Sequence, residues 1–189
     1  MNLILVGFMA SGKSAVGRRL AHRLGYGFVD TDQVIEEQIG CSIAMIFEQK
    51  GEPYFRKLES ALAANLSSLH NYIISTGGGM IATPGNLEAL KKAGRLVFLN
   101  ADLEDILERL QRDTNRPKAQ GEDLRERMGK LLEARMPYYT QSDYIINTHG
   151  KSVNRVAGEV LALLSGKEGK AGTESKNSGE PPEEQASDS

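Results

Sequence analysis

Gly7-Phe8-Met9-Ala10-Ser11-Gly12-Lys13-Ser14 follows the apolar run Leu3-Ile4-Leu5-Val6 and precedes Val16, Leu20 and Leu24 at helical spacing. The order is buried strand, glycine-bounded loop, then amphipathic helix ending near Gly25, and the loop carries the Gly-x4-Gly-Lys-Ser pattern of a P-loop. Gly7 and Gly12 let the backbone curl around phosphates, while loop amides and the helix N-terminus aim partial positive charge at them. Lys13 is placed to contact β and γ phosphates and Ser14 to ligate magnesium. The competing reading is a glycine turn with an exposed lysine. Agreement between the string and its strand-helix setting argues against it.

Four further strands are expected at residues 26–29, 72–75, 96–99 and 144–146, separated by helical patterns. Three apolar stripes read as core. They are Phe55, Leu58, Leu62, Leu66 and Leu69; Leu103, Ile106, Leu107 and Leu110; and Val153, Val156, Val160, Leu161 and Leu164. Thr83 before Pro84 reads as a helix N-cap, and Gly94 closes that helix. Strands alternating with helices imply a mainly parallel, three-layer α/β sheet.

The 189 residues, 40% of them hydrophobic, suffice for one domain with a sizeable core. A net charge of -2 gives no electrostatic footprint for nucleic acid. The apolar opening is too short for a membrane span or a signal core, and no basic region precedes it, so a cytoplasmic protein without membrane contact is expected. Cys41, the single cysteine, allows no internal disulfide or multi-cysteine zinc site and reads as a packing residue. After residue 165 the chain is dominated by Gly, Ser, Pro, Lys and Glu, so 166–189 is expected to be a disordered tail following a domain at 1–165. The polar stretch from Asp113 to Asp123, with Arg116-Pro117 and Gly121, is a candidate lid.

Carboxyl ends of parallel strands form ligand crevices, and Asp30 and Asp32 stand at the end of the second strand. Alternation in an extended segment would put both on one side. One carboxylate can hold the magnesium shell while the other orients an alcohol nucleophile or accepts its proton. The plain alternative is helix capping by Asp32 and Thr31. Thr76-Gly77-Gly78-Gly79 ends the third strand, where missing β-carbons let a ligand approach main-chain amides; a flexible turn would explain it equally. Arg56 and Arg135 suit a substrate carboxylate, although Arg56 has an acid, Glu59, one turn away for structural pairing. Arg116 in the lid is positioned to neutralise charge as the γ-phosphoryl transfers, and closure would exclude water. His22, His70 and His149 show no metal-ligand spacing, and Tyr138 and Tyr139 read as packing at a helix end.

Taken together, the P-loop from Gly7 to Ser14, Asp30-Thr31-Asp32, Gly51-Glu52 with Phe55-Arg56, the Gly77-Gly78-Gly79 run, Arg116-Pro117, and Arg135 with Tyr139 resemble shikimate kinases across about residues 1–165. The resemblance implies a P-loop NTPase fold of nucleoside monophosphate kinase type with a five-stranded parallel sheet. It also implies a substrate-binding region at about 32–61 and a lid at about 112–123. The implied reaction moves the ATP γ-phosphoryl group to the 3-hydroxyl of shikimate, with Mg2+, in a monomer. In that picture Gly7, Ala10, Ser11, Gly12, Lys13, Ser14 and Ala15 hold the nucleotide, and Arg112 stacks on adenine, with Arg109 as the weaker candidate. Ser14 binds magnesium directly and Asp30 through water. Asp32 holds shikimate hydroxyls and assists deprotonation, while Arg56 and Arg135 take the carboxylate. The Gly77 to Gly79 run supplies a backbone amide, and Lys13 and Arg116 stabilise the transferring group. Two departures stand out. Lys118-Ala119 replaces the family's usual two leucines after the lid Arg-Pro, and residues 148–154 lack the proline often found near adenine. Gluconate kinase on the same fold, and a nucleotide-binding regulatory module without transfer activity, are the rival readings.

Overall fold

β1 (Leu3–Val6) is buried on both faces and lies at the centre of a five-stranded sheet. The other strands are β2 (Gly27–Asp30), β3 (Tyr72–Ser75), β4 (Arg95–Asn100) and β5 (Tyr144–Asn147), in the spatial order β2-β3-β1-β4-β5. Every pairing is parallel, with Leu3 beside Ile73 and Arg95, and Asp30 beside Ser75. The structure, a computed structural model, describes residues 1–112 and 122–166. The expected lid residues Arg116, Pro117, Lys118 and Ala119, and the tail from 167 onward, lie outside the described residues.

The helices are α1 (Lys13–Leu24), α2 (Thr31–Ile39), α3 (Ile43–Lys50), α4 (Glu52–Asn65), α5 (Asn86–Ala93), α6 (Leu103–Arg112), α7 (Glu122–Tyr139) and α8 (Val153–Leu164). Alternation along β1 builds the layers. Leu3 and Leu5 join Ile73, Val97 and Leu99 against Val16 and Leu20 of α1 and Val156 and Val160 of α8. Ile4 and Val6 face the other way, into a core shared by α4, α5, α6 and α7 through Ala63, Leu90, Ile106 and Met128. A third, smaller core of Ile35, Ile46 and Phe55 unites α2, α3 and α4, and Cys41 packs against it as a small hydrophobe. Among the described residues no helix is long and apolar enough to cross a membrane.

Asn2 closes the amino pole of the sheet. Its Nδ2 donates to the carbonyls of Leu69 (2.6 Å) and Ala93 (3.0 Å), and its Oδ1 accepts from Tyr72 N–H (3.0 Å). Two local expectations are corrected. Thr83 does not cap α5: it follows a 3₁₀ turn at Met80–Ala82, and the helix begins at Asn86 with Gly85 (φ 82°) before it. Pro84 is the reason, since the residue before a proline is pushed to extended backbone, and Thr83 sits at φ −76° and ψ 130°. Gly94 does close the helix, its N–H donating to Leu90 O at 3.1 Å. Second, Asp30 and Asp32 do not alternate along one strand. Asp30 ends β2 and caps α2, whose first turn contains Asp32.

Candidate active site

The loop after β1 wraps tightly because its glycines permit it. A β-carbon on Gly7 (φ 149°) would lie 2.7 Å from Leu99 O and 3.0 Å from Ser11 Oγ. Gly12, at φ 94°, turns the chain into α1. Lys13 bends back over the loop, its Nζ donating to Phe8 O at 2.7 Å with Ser11 Oγ at 3.4 Å. Ala10 holds a left-handed backbone at φ 59°, and its carbonyl accepts from Arg109 Nη1 at 3.0 Å. The arginine of α6 on the phosphate loop is thus Arg109. Arg112 projects into solvent with 75% of its side chain exposed and pairs with Glu108 at 2.5 Å. Ala15 is exposed on the first turn of α1.

Beside the loop, Ser14 Oγ donates to Asp30 Oδ2 at 2.6 Å and lies 3.2 Å from Ser75 Oγ. Asp30 and Ser75 are register partners at the carboxyl ends of β2 and β3, so the sheet itself sets this oxygen cluster. Asp30 also accepts from Asp32 N–H at 3.2 Å, which makes it the cap of α2 in place of Asp32 or Thr31. Thr31 is instead fully buried and accepts from Gly77 N–H at 2.9 Å, fastening the glycine run to α2. A cleft of about 480 Å³ lies over these groups, lined among others by Lys13, Ser14, Asp30, Asp32 and Gly78.

Each glycine of the run makes room for a different neighbour. A β-carbon on Gly77 would come within 2.5 Å of Asp32 Oδ1 and 2.7 Å of Glu59 Oε1. On Gly78 it would press Met9 N at 3.1 Å, and on Gly79 it would strike the Arg56 guanidinium. Arg56 is held by Glu59 Oε2 (2.5 Å) and by Glu52 Oε1 (2.7 Å), so the expected structural pairing coexists with a position beside the cleft. Glu59 has no solvent exposure. Among the described residues, Asp32 Oδ1 and Glu59 Oε1 are buried oxygens without a hydrogen-bond partner. Burial, then the neighbouring Asp30, holds the Asp32 carboxyl above its ordinary value, against the pull of Lys13 and Arg56. Burial also raises Glu59, against the pull of Arg56.

Arg135 of α7 lies over Phe8, its guanidinium 5.5 Å from the ring centroid. Tyr139, one turn on, is fully buried, stacks on Phe98 at 4.9 Å and donates to Gly78 O at 2.5 Å. It packs the helix end as expected and also anchors the glycine run. Burial pushes its phenol up to about 12. The structure therefore brings together Lys13, Ser14, Asp30, Asp32, Arg56, the glycine run and Arg135. Sequence reasoning missed Ser75 and the anchoring part of Thr31, and treated Glu59 only as a partner for Arg56. No sequence signal points to Ser75, whose place depends on strand register, whereas a glutamate on the apolar side of α4 points to Glu59.

The shikimate kinase family profile matches residues 9–165. The shikimate kinase of Caldanaerobacter subterraneus subsp. tengcongensis is 42% identical over 160 residues, covering 85% of this chain and 94% of that protein. A shikimate kinase from Acinetobacter baumannii solved in complex with shikimate superposes with a TM-score of 0.82 at 38% identity, over 89% of this chain and 95% of the other. A gluconokinase from Sinorhizobium meliloti shares the fold alone, with a TM-score of 0.56 at 16% identity, over 87% and 91% of the two chains. With the family profile, the sequence identity and the close superposition in agreement, the chain belongs to the shikimate kinase family.

Proposed function

We propose that this ATP-dependent kinase transfers the γ-phosphoryl group of ATP to the 3-hydroxyl of shikimate in the cleft between the phosphate loop and the glycine run. The observation that carries this reading is the meeting, around three glycines, of an acid with an unpartnered buried oxygen (Asp32), an arginine (Arg56) and the phosphate loop. Arg56 and Arg135 take the substrate carboxylate, Asp32 takes the hydroxyls, and a glycine amide completes the pocket. Transfer forms a bond between the substrate oxygen and the γ-phosphorus. The bond to the bridging oxygen breaks, its electron pair leaves with ADP, and the hydroxyl proton passes to Asp32. Lys13 offsets charge on the phosphoryl oxygens, and Arg116 joins it.

The oxygen donors Ser14 Oγ and Asp30 Oδ2 fit Mg2+, a hard ion that keeps several waters and takes few protein ligands. Bound there with ATP, the ion supplies charge neutralisation at the phosphates. Gly7, Ala10, Ser11, Gly12, Lys13, Ser14 and Ala15 contact the nucleotide. Of the two candidates beside adenine, Arg109 has the better position, because Arg112 faces solvent. The kinase unit spans 1–165, with an acceptor region at about 32–61, a lid at about 112–123 and a tail at 166–189. It works as a cytoplasmic monomer with neither nucleic acid nor membrane as partner.

The test is ADP release from MgATP with shikimate, gluconate or no acceptor. Stimulation by shikimate alone is expected. Stimulation by gluconate would move the assignment to a gluconate kinase, and nucleotide binding without acceptor-dependent turnover would favour a regulatory module.

A further inference from the structure

Ala10 is the feature of the phosphate loop that glycine chemistry does not explain. Its φ of 59° is left-handed, a region where a β-carbon meets the following carbonyl and an L-residue is disfavoured. Among the described residues, only Asn71 shares a positive φ without being glycine, and asparagine tolerates that region. An alanine there persists when its surroundings impose the conformation.

Arg109 Nη1, from α6 and 99 residues away in sequence, donates to Ala10 O at 3.0 Å. The same nitrogen lies 3.9 Å from the place a β-carbon would occupy on Gly12, the residue that opens α1. Arg109 is only partly exposed, and it emerges from a helix fixed by Ile106 and Leu107 in the main core. A hydrogen bond with an ionised donor is stronger than a neutral one, and this one acts on the carbonyl of the strained residue itself.

We infer that Arg109 is a positioning residue of the phosphate loop, holding Ala10 in the left-handed conformation that turns the loop's amides toward the nucleotide phosphates. This goes beyond any contact of Arg109 with the base, and it rests on the reading of residues 7–14 as the phosphate site. The loop is held from outside by α6, and the strain at Ala10 is what the arginine opposes.

The experiment separates base from phosphate by using a probe without a base. Tripolyphosphate binding is measured by calorimetry for the parent, Arg109→Ala, Ala10→Gly and the double variant. Arg109→Ala is expected to weaken binding about tenfold, the effect of one charge-assisted hydrogen bond. Ala10→Gly in the Arg109→Ala background should recover about fivefold, because glycine adopts a positive φ without the penalty. In steady-state turnover the same pair should appear as a rise and partial return of the ATP KM, with the shikimate KM unmoved. Unchanged tripolyphosphate affinity in Arg109→Ala overturns the inference, as does a loss that Ala10→Gly leaves in place, which would mark a direct charge contact with phosphate. Arg109→Gln serves the same purpose if the alanine variant melts abnormally. Failure of the parent to bind tripolyphosphate would instead sink the phosphate-site reading.

Discussion

Replacing Gly79 by alanine probes the acceptor site at a tight point. Gly79 has φ −97° and ψ −13°, so alanine fits the backbone and the effect comes from the new β-carbon alone. That atom would sit 2.7 Å from both Cζ and Nη2 of Arg56. Ordinary contact is about 3.5–4.0 Å, so the guanidinium must retreat by about 1 Å. That movement stretches the pairs from Nη1 to Glu59 Oε2 (2.5 Å) and from Nη2 to Glu52 Oε1 (2.7 Å). A hydrogen bond to a charged group contributes about 1.5–3 kcal/mol. If the displaced arginine loses one such bond to the substrate carboxylate, shikimate binding weakens roughly 10- to 150-fold. The assay is ADP release coupled to NADH oxidation, with shikimate varied at saturating ATP. A KM raised at least about tenfold, with kcat within about threefold of the parent, is expected. A KM within about twofold of the parent, in protein that melts cooperatively, would refute the placement of Arg56 at the substrate carboxylate.

Lys13→Ala should lower kcat by about 100-fold or more, since its contact strengthens as charge shifts during transfer; near-normal turnover in folded protein would contradict that role. Tyr139→Phe keeps the stack on Phe98 but leaves Gly78 O without its buried donor, a cost of about 1–3 kcal/mol; an unaltered Tm would show the bond contributes nothing. Asp32→Asn carries a pH signature. The folded protein holds the Asp32 proton more tightly than the unfolded chain, whose value is near 3.8, so this group's stability contribution is full below 3.8 and fades as pH rises through the folded value. Asp32→Asn should therefore melt above the parent at pH 7–8, with the advantage closing toward pH 4, while turnover is lost. A variant that melts below the parent at pH 8 would overturn the burial argument.

The fold was legible because its signals are local. Short β-rich runs, stripes at helical spacing and a glycine-bounded loop each report their own element, and β1, β3 and the P-loop stand where the periodicity puts them. Edges were less legible. The second strand runs one residue later than expected, to Asp30, because that residue serves both as the last of β2 and as the cap of α2. Pro84 reads as a helix start by its type, yet its effect on Thr83 delays α5 to Asn86. In the cleft, side chains carried by a motif were legible, whereas contacts set by tertiary structure were not. Ser75 matters through its register with Asp30, Thr31 through one bond to Gly77, and Arg109 through a contact spanning 99 residues. The contact of Arg109 with the phosphate loop depends on the rotation of α6, which spacing alone leaves open.

The central place of β1 bears on how the chain is made. Both neighbours of this strand come from far downstream, residues 73–75 on one side and 95–98 on the other. A growing chain on the ribosome thus exposes the phosphate loop before either strand neighbour of β1, and the sheet pairing of β1 waits until β3 and β4 have followed it out. Such non-local pairing is slow, because loop closure must precede the contacts that reward it. Nucleotide binding therefore matures no earlier than the glycine run that borders the acceptor, because that run follows β3 directly.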